Sequence, residues 1–448
     1  MSERKRIYLC LAHMSEDGME QKYVKEAFDT NWVVPLGPNV NGFEKDLEEF
    51  CLTLAPSPKI EESGYRSDQE ILSKKRVVAL SAGTAAVHLA LIACGVGPGD
   101  EVCVQSFTFC ASSHPIIYLG ATPIFIDSEK DTWNMDPELL EEAIKDRIEK
   151  TGKKPKAIVP VALYGMPYRI GEIMKIADRY GIPVIEDAAE GFGSRYKGQV
   201  LGTFGKYGVL SFNGNKMITT SGGGALITED EDHWREIMMY ATQFRESYPY
   251  YQHEKIGYNY RMSNICAGIG RGQMAVANEH IAHHKHVQAL YEELLKDVKG
   301  IHVHSQPNTD YTDGTDKKPV YDSNYWLCTI TIDENVKVKG QEDAYKTIVK
   351  GAVGGAAGVI HAAESAHTDC EPNTNVEAMR IALDQAQIEA RPVWKPMHKQ
   401  PCYKVAPAYV NGVSEAIFKV GMCLPAGPYV TDDDVHYIVD TIKASIVE

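Results

Sequence analysis

Between residues 77 and 228 the chain alternates short β-rich runs with segments of helical periodicity, which restricts the folds open to it. The β-rich runs are VVAL (77–80), EVCVQ (101–105), PIFID (123–127), AIVPVALYG (157–165), PVIED (183–187), VLSF (209–212) and ALIT (225–228). Between them lie AAVHLALIACG, PELLEEAIKDRIEK and IGEIMKIADRYG, whose apolar residues recur at helical spacing. We predict an α/β fold with a mostly parallel central sheet and helices on both faces. Ligands of such sheets bind beyond the carboxyl ends of the strands.

A different pattern begins near residue 286. A helical segment, KHVQALYEELLKDV, leads to the β-like runs IHVH, NYWLCTITI and IEARPVW. Because 448 residues can build two cores, we predict a large domain over 1–285 and a smaller α+β C-terminal domain over 286–448. Two segments fit neither pattern. Residues 55–75 are polar and predicted to be a surface excursion, and residues 345–376 are Ala/Gly-rich and could form a helix or an irregular loop.

The composition excludes several classes of protein. A net charge of −15 argues against a broad basic surface for nucleic acid. No apolar run approaches the ~18 residues of a membrane span, and the N-terminal apolar run is too short for a signal peptide. The 10 cysteines include no C-x-x-C pair and are interpreted as reduced core residues. The sequence therefore predicts a cytoplasmic protein that binds neither nucleic acid nor membrane.

The segment SAGTAAVHLAL (81–91) predicts a turn from a strand into a helix that begins near Thr84. Backbone N–H groups at a helix N-terminus attract phosphate. Gly83 would let an anion approach, and the Thr84 hydroxyl could add a hydrogen bond. An ordinary helix cap is the alternative interpretation.

A carboxylate, Asp187, stands at the end of the apolar strand in VIEDAAEGFGSRYKG. Its burial would be costly without a charged partner, and a protonated pyridine nitrogen would suit it. The alternative is a helix cap, and Glu190 three residues later would fit a capping box.

The segment VLSFNGNKMITTSGGGALIT (209–228) places Lys216 among small and polar residues between two apolar runs. A lysine forms a Schiff base only when deprotonated, and burial favours that form. Ser211 could donate to a phosphate, while a solvated surface charge remains the alternative for the lysine. A phosphate cradle, a strand-end Asp and this Lys, in that order, describe a pocket for pyridoxal 5'-phosphate (PLP).

These motifs resemble the sugar aminotransferases of the DegT/DnrJ/EryC1/StrS family along nearly the whole chain. The resemblance is carried by PLGPNVNGFEKDLEEF (35–50), SAGTAAVHLAL, SFTFCASSHPIIYLGATPIFID (106–127), VIEDAAEGFGSRYKG, SFNGNKMITTSGGG (211–224), GYNYRMSN (257–264) and RPVWKPMHKQP (391–401). It implies the aspartate-aminotransferase architecture, PLP-transferase fold type I, with 55–75 and 345–376 as insertions.

The resemblance also implies residue roles. Lys216 would hold PLP through its ε-amine and then move the proton between cofactor and substrate carbons. Asp187 would pair with the pyridinium nitrogen. Phe109 would stack on the ring, and Glu190 would lie near its hydroxyl side. The phosphate would be held by Gly83, Thr84 and Ser211.

Further roles concern assembly and substrate. Asn259 would reach the phosphate in the neighbouring subunit, which implies a homodimer with shared active sites. Three residues of RPVWKPMHKQP would contact the nucleotide-sugar: Trp394, Lys395 and His398. A Pro-bounded loop with a packed Trp is the alternative interpretation of that motif. Arg261 is a weaker candidate for a phosphate contact.

No metal site is predicted. The helical spacing of His280 and His284, with His283 and His286 beside them, could bind a metal. No convincing set of acidic or cysteine ligands accompanies these histidines. We therefore expect an exposed helix face.

The expected reaction is PLP-dependent transfer of an amino group from L-glutamate to a nucleotide-linked 4-keto-6-deoxy-hexose for surface-glycan biosynthesis. Pyridoxamine phosphate would be the intermediate form of the cofactor. Amination at C4 is favoured because the resemblance is nearest to enzymes making bacillosamine or perosamine precursors. The alternatives are a sugar C3-aminotransferase, an aminocyclitol aminotransferase and a non-catalytic PLP-binding sensor. Lys216 argues against a sugar 3-dehydratase, because those relatives have His at that position.

Overall fold

The computed structural model describes residues 5–53, 69–313, 316–345 and 370–447. Of the two predicted insertions, most of 55–75 and most of 345–376 lie outside these ranges. The elements up to residue 200 are α1 (Met19–Asp29), α2 (Pro38–Leu52), α3 (Gln69–Lys74), β1 (Arg76–Leu80), α4 (Gly83–Ala93), β2 (Glu101–Gln105), α5 (His114–Tyr118), β3 (Thr122–Ile126), α6 (Pro137–Thr151), β4 (Ala157–Val159), α7 (Ile170–Tyr180), β5 (Ile185–Asp187), β6 (Arg195–Tyr196) and β7 (Gln199–Val200).

The second half of the chain adds further strands and four long helices. Its elements are β8 (Tyr207–Ser211), β9 (Gly224–Thr228), α8 (Glu231–Ala241), α9 (Asn264–Leu295), β10 (Ile301–Val303), β11 (Asp310–Asp313), β12 (Asp316–Pro319), β13 (Tyr321–Asp322), β14 (Cys328–Ile332), α10 (Thr374–Gln385), β15 (Arg391–Pro392), β16 (Ala408–Tyr409), α11 (Val413–Val420), β17 (Gly421–Leu424) and α12 (Asp432–Ser445).

The central sheet consists of two four-stranded halves, β1-β9-β8-β5 and β4-β2-β3-β16. Two parallel bridges join them, Ile158 with Val184 and Val161 with Asp187. Every neighbouring pair is parallel except the two pairs that involve β9. The prediction of a mostly parallel α/β sheet is therefore confirmed. Because the parallel strands share a direction, the carboxyl ends of β2, β5 and β8 meet at one edge of the sheet.

The fourth strand, β4, is shorter than the nine-residue run that predicted it. It ends at Val159. Pro160 follows, and a proline cannot donate a hydrogen bond to a neighbouring strand. After it the chain pairs only once more, through Val161, and then makes the 3-10 turn Leu163–Gly165.

The antiparallel strand β9 brings the predicted cofactor segments together. Ser211 at the end of β8 pairs with Gly224 at the start of β9, so residues 212–223, including Lys216, form the connection between them. A Cβ on Gly224 would come within 2.4 Å of the Gly83 nitrogen. Glycine is needed there, because the first turn of α4 packs directly on this strand.

A smaller antiparallel sheet, β10-β14-β17-β15, lies in the C-terminal part of the chain. Its core includes residues from α10 and α12 and from the end of α9. The long helix α9 begins at its cap, Ser263, whose Oγ accepts the Cys266 N–H. Its first half packs in the core of the large sheet through Ala267 and Ala277, and its second half packs in the smaller core through Val287 and Tyr291.

The C-terminal part of the chain also returns to the central sheet. Strand β16 pairs in parallel with β3 at the outer edge. Just beyond it, the carboxylate of Asp127 accepts main-chain N–H groups from Asn411, Gly412 and Ser414. The division of the chain at 285/286 stays a prediction. Strand β16 lies after that point in the sequence but pairs with β3, which lies before it.

The expectation of an exposed histidine face on α9 is wrong for two of its members. His280 and His284 are buried, at 5% and 0% exposure. They lie one helical turn apart on the side of α9 that faces the protein, where their Nδ1 atoms contact the carbonyls of Met217 and Tyr325. Desolvation by burial lowers the pKa of His284 to about 3. Spacing alone placed these residues on one face but could not show which way that face points.

Across the described ranges, no helix is both long enough and apolar enough to cross a membrane.

Candidate active site

A cavity of about 290 Å³ opens at the carboxyl edge of the central sheet. Eight predicted site residues line it, which are Gly83, Thr84, Phe109, Asp187, Glu190, Ser211, Lys216 and Trp394. They come from five separate stretches of sequence, and the strand directions described above bring these stretches to one place. The cavity therefore lies where a parallel sheet places its ligands.

One end of the cavity is formed by the start of α4. This helix begins at Gly83 without a side-chain cap, and Ala82 before it is extended. The first N–H groups of a helix have no acceptor within the helix, and they favour an anion. A Cβ on Gly83 would come within 3.0 Å of the Ser211 Cβ. Gly83, Thr84 and Ser211 thus form a narrow, donor-rich cradle of the kind that holds a phosphate.

A buried carboxylate, Asp187, lies at the end of β5 and is 5% exposed. Its Oδ2 accepts a hydrogen bond from Ser112 Oγ at 2.6 Å, and its Oδ1 accepts the Ala189 N–H at 3.2 Å. Burial raises the pKa of Asp187, while the Ser112 hydroxyl, the Ala189 N–H and the charge of Lys216 oppose that rise. No helix follows β5 directly, so Asp187 is not the helix cap that the sequence left open.

The side chain of Lys216 lies inside the cavity and is 12% exposed. Its Nζ is 3.4 Å from Glu190 Oε1 and 4.0 Å from the ring centroid of Trp326. Trp326 is held in turn by its Nε1, which donates to the Asn215 carbonyl at 2.6 Å. The ε-amine is therefore placed by a carboxylate on one side and an indole face on the other.

Glu190 is the second buried carboxylate of the cavity. Its Oε2 accepts the Tyr164 N–H at 2.7 Å, which fixes its orientation. Burial raises the pKa of Glu190, and the nearby Lys216 charge is the largest opposing influence. Neither Asp187 nor Glu190 caps a helix, so both carboxylates are available to a ligand.

Aromatic rings form the mouth of the cavity. Phe109 is 48% exposed, and its ring centroid lies 5.4 Å from that of Trp394. Tyr164 stacks at interplanar angles of 17° with both Trp394 and Trp326. A flat, partly exposed aromatic surface of this kind suits a planar ring of a ligand.

Of the predicted site residues, Asn259 and Arg261 lie outside the cavity lining. Asn259 is exposed and pairs through its backbone with Thr242. The Arg261 guanidinium donates to Glu44 Oε1 at 2.5 Å and to the Ala79 carbonyl at 2.9 Å. This largely buried ion pair accounts for Arg261 structurally, and its contact with substrate stays a prediction.

Lys395 and His398 also lie beyond the cavity lining. The Lys395 carbonyl accepts the Gln400 side-chain amide. His398 Nδ1 lies 2.6 Å from Ser106 Oγ, and the His398 N–H donates to the same oxygen. Burial lowers the pKa of His398, and the charge of Asp127 opposes that shift. His398 fastens the loop after Trp394 to the end of β2, and its substrate contact stays a prediction.

A family comparison accounts for this arrangement. The model of the DegT/DnrJ/EryC1/StrS aminotransferase family matches residues 68–356 and 360–443. The chain belongs to this family. Members of the DegT/DnrJ/EryC1/StrS family are PLP-dependent transaminases, so the predicted enzyme class and cofactor are confirmed.

Individual relatives extend the similarity over almost the full length. EpsN of Bacillus subtilis (strain 168), named as a pyridoxal phosphate-dependent aminotransferase, is 38% identical, covering 98% of this chain and 95% of EpsN. GDP-perosamine synthase of Escherichia coli O157:H7 is 31% identical, covering 97% and 98%. The crystal structure of a DegT DnrJ EryC1 StrS aminotransferase from Brucella abortus is 25% identical with a TM-score of 0.74, covering 96% and 95%. The predicted fold type I is confirmed.

The cavity has the features that the cofactor of the DegT/DnrJ/EryC1/StrS family requires. The start of α4, packed closely against Ser211, offers uncapped N–H groups and a hydroxyl to a phosphate group. Asp187 offers a buried carboxylate to a ring nitrogen, and Lys216 offers an amine to an aldehyde. Phe109 supplies an exposed ring face beside them. The residues present therefore fit PLP.

Several residues of the site were missed in the sequence. Ser112 and Thr108 lie within the quoted motif SFTFCASSHPIIYLG, where nothing in their spacing singles them out. Trp326 was part of a predicted strand, but it precedes β14 and lines the cavity. The aromatic residues of NYWLCTITI gave no signal of this role, because Tyr and Trp are common in strands.

Proposed function

We propose that this chain transfers an amino group from L-glutamate to the ketone of a nucleotide-linked 4-keto-6-deoxy-hexose, with C4 as the acceptor carbon. The observation that carries the proposal is the position of the Lys216 ε-amine. It lies in one cavity with Asp187, with the start of α4 and with an open aromatic mouth. The product would be an amino sugar for a surface glycan.

The cofactor contacts follow from the described geometry. When bound, PLP supplies an electron sink for the bonds that change at the amino-bearing carbon. The N–H groups of Gly83 and Thr84, with the Ser211 hydroxyl, would hold its phosphate. Asp187 would hold the proton on its ring nitrogen, and Phe109 would cover one ring face.

Proton movement is assigned to Lys216. Its amine would take a proton from one carbon and return it to another, as a general base and then a general acid. In this structure Glu190 and the Trp326 ring hold that amine within the cavity. They would keep it close to the reacting carbon whenever it is not joined to the cofactor.

The aromatic mouth supports a large substrate with a flat ring. Trp394 and Phe109 are partly exposed there and could pack against a nucleotide base or a sugar face. GDP-perosamine synthase is a relative similar to this chain over nearly its whole length, which supports a nucleotide-linked sugar. Lys395, His398 and Arg261 remain the proposed contacts for its polar groups.

A homodimer with shared sites is part of the proposal. Among the described residues that line the cavity, Lys216 is the only cationic side chain, whereas two are carboxylates. A diphosphate and a glutamate both carry negative charge and need further cations or amide donors. Asn259, exposed on the same chain, would supply one such group to the neighbouring subunit's cofactor phosphate.

The proposal is tested first by spectroscopy. The purified protein should carry a visible absorption band from bound PLP, and L-glutamate should bleach it. Lys216→Ala should abolish both the band and turnover while the protein stays folded. Lys216→Arg keeps the positive charge beside Glu190 and should be equally inactive, because a guanidinium does not condense with an aldehyde. Turnover by either variant at the wild-type rate would contradict the role of Lys216.

The substrate is then tested with a panel of UDP-, GDP- and dTDP-linked 4-keto-6-deoxy sugars, analysed by mass spectrometry. We expect an amino product from at least one member, with nitrogen on C4. The matched 3-keto sugars serve as the comparison, and amination of these at C3 without any turnover of the 4-keto panel would overturn the C4 assignment. Failure with every nucleotide-sugar alongside turnover of a cyclitol ketone would overturn the sugar assignment.

A further inference from the structure

Beside the Asp187 carboxylate, in the lining of the same cavity, are two buried hydroxyl groups that the proposed reaction does not use. Ser112 Oγ donates to Asp187 Oδ2 at 2.6 Å, and Thr108 Oγ1 lies 2.8 Å from Ser112 Oγ. Thr108 and Ser112 are each 1% exposed. They come from the turn that follows β2, whereas Asp187 ends β5, so the contact joins two strands of the sheet.

The chemistry of these groups determines which group donates each hydrogen bond. An ionised carboxylate only accepts hydrogen bonds, so Ser112 must donate its single proton to Asp187. Thr108 must then donate its own proton to Ser112. The chain Thr108–Ser112–Asp187 therefore has one direction as long as Asp187 is charged, and each bond strengthens the next.

The Ser112 hydroxyl opposes the effect of burial on the pKa of Asp187. Burial raises the pKa of that carboxyl, and the Ser112 hydroxyl is the largest opposing influence. The Ala189 N–H holds the other oxygen. With a donor on each oxygen, the carboxylate is held in one orientation and its ionised form is favoured.

We propose that Ser112, oriented by Thr108, is a positioning residue that holds Asp187 as a fixed carboxylate for the ring nitrogen of PLP. The proposal rests on the proposed function, since it requires the ring nitrogen to face Asp187. Ser112 acts through Asp187 rather than on the substrate. Its removal should therefore weaken binding only of cofactors that carry a ring nitrogen.

The test measures the affinity of apo-protein for two cofactors, PLP and its 1-deaza analogue, in which CH replaces the ring nitrogen. Ser112→Ala should weaken PLP binding by about tenfold, the usual size of a hydrogen bond to a charged group. Binding of the 1-deaza analogue should change by less than about twofold, because it has no ring N–H to pair with Asp187. Thr108→Val should weaken PLP binding less, since Ser112 keeps its donor.

Two variants separate positioning from loss of structure. Ser113→Ala removes a neighbouring buried hydroxyl that contacts the Cys110 carbonyl and Tyr403 instead of Asp187. It should leave the affinities for both cofactors unchanged. Ser112→Thr restores a hydroxyl and should recover most of the PLP affinity. Melting temperatures of the apo-proteins show whether each variant is folded.

The outcomes distinguish this inference from the proposed function. Equal weakening of PLP and the 1-deaza analogue in Ser112→Ala would overturn the inference and leave a structural role for Ser112. Unchanged PLP affinity in that variant would overturn it too. If the wild-type protein bound no PLP at all, the proposed function itself would fail.

Discussion

At Gly83 the main chain of α4 approaches the end of β8 so closely that a side chain there would force Ser211 to shift. The built Cβ would lie 3.0 Å from the Ser211 Cβ and 3.3 Å from its Oγ. Both residues line the cavity. The role of this glycine is therefore to let the start of α4 pack against Ser211, so that the helix N–H groups and the Ser211 hydroxyl lie side by side.

A methyl group at this position should displace the Ser211 side chain. We expect Gly83→Ala to weaken PLP binding by at least about tenfold, because the added carbon would push Ser211, a proposed phosphate donor, out of position. Equilibrium dialysis of the apo-protein with PLP measures this directly. The control is Gly97→Ala, since a Cβ there has no atom within 4 Å. Wild-type affinity in Gly83→Ala would place the phosphate elsewhere.

Residues at strand ends were predictable from the sequence, and contacts between distant residues were not. Asp187 and Lys216 stood out because a charged group next to an apolar strand needs an explanation. Ser112 is 75 positions from Asp187, and Trp326 contacts the turn that carries Lys216 from even further along the chain. A hydroxyl or an indole follows no spacing rule, so only the folded structure shows these contacts.

Among the elements, the helix α9 gives the most specific prediction for stability. His284 is fully buried on it, and its pKa is lowered by burial to about 3. In the unfolded chain the pKa of a histidine is about 6.5. Below that value the unfolded state binds a proton that the folded state does not, so stability falls as the pH falls from about 6.5 towards 3.

We expect His284→Gln to remove this dependence. Between pH 7 and pH 5 the wild-type protein should lose about 2 kcal/mol of unfolding free energy through this residue, and the variant should not. The difference in unfolding free energy between the wild-type protein and the variant should therefore be smaller at pH 5 than at pH 7. Urea unfolding at both pH values, at one protein concentration, measures it. His436→Gln removes an exposed histidine and serves as the control. A constant difference would contradict the assignment.

Strand positions and the mainly parallel direction of the central sheet were predicted well, whereas the antiparallel direction of β9 was not. The run EVCVQ matches β2 at both ends, and α7 begins at the predicted Ile170. Hydrophobic periodicity carries no information about direction, so the antiparallel β9 could not be foreseen. The burial of His280 and His284 could not be predicted either. Their spacing shows that they share one face of α9, but it does not show whether that face packs against protein or solvent.

At the scale of the whole molecule, the shared active site can be tested by mixing subunits. If Asn259 of one subunit serves Lys216 of the other, a dimer of one Asn259→Ala and one Lys216→Ala subunit has one intact site. Random reassembly makes about half of the dimers mixed, so about a quarter of wild-type turnover should return. Each variant alone should show far less.

The mixing experiment gives a different result if Asn259 serves the active site of its own subunit. In that case, each site of a mixed dimer carries one defect, and no activity returns. Mass measurement by analytical ultracentrifugation provides the control, because mixed dimers can form only if the protein is an oligomer. A monomer in solution would contradict the proposed assembly outright.

The strand β16 bears on the design of chimeric proteins from two members of the family. It is contributed by the second half of the chain, yet it completes the outer edge of a sheet built by the first half. A recombination breakpoint at residue 285 would pair β3 and Asp127 of one parent with an edge strand and main-chain donors of another. Chimeric proteins should therefore fold more often when β3, Asp127 and residues 408–414 come from the same parent.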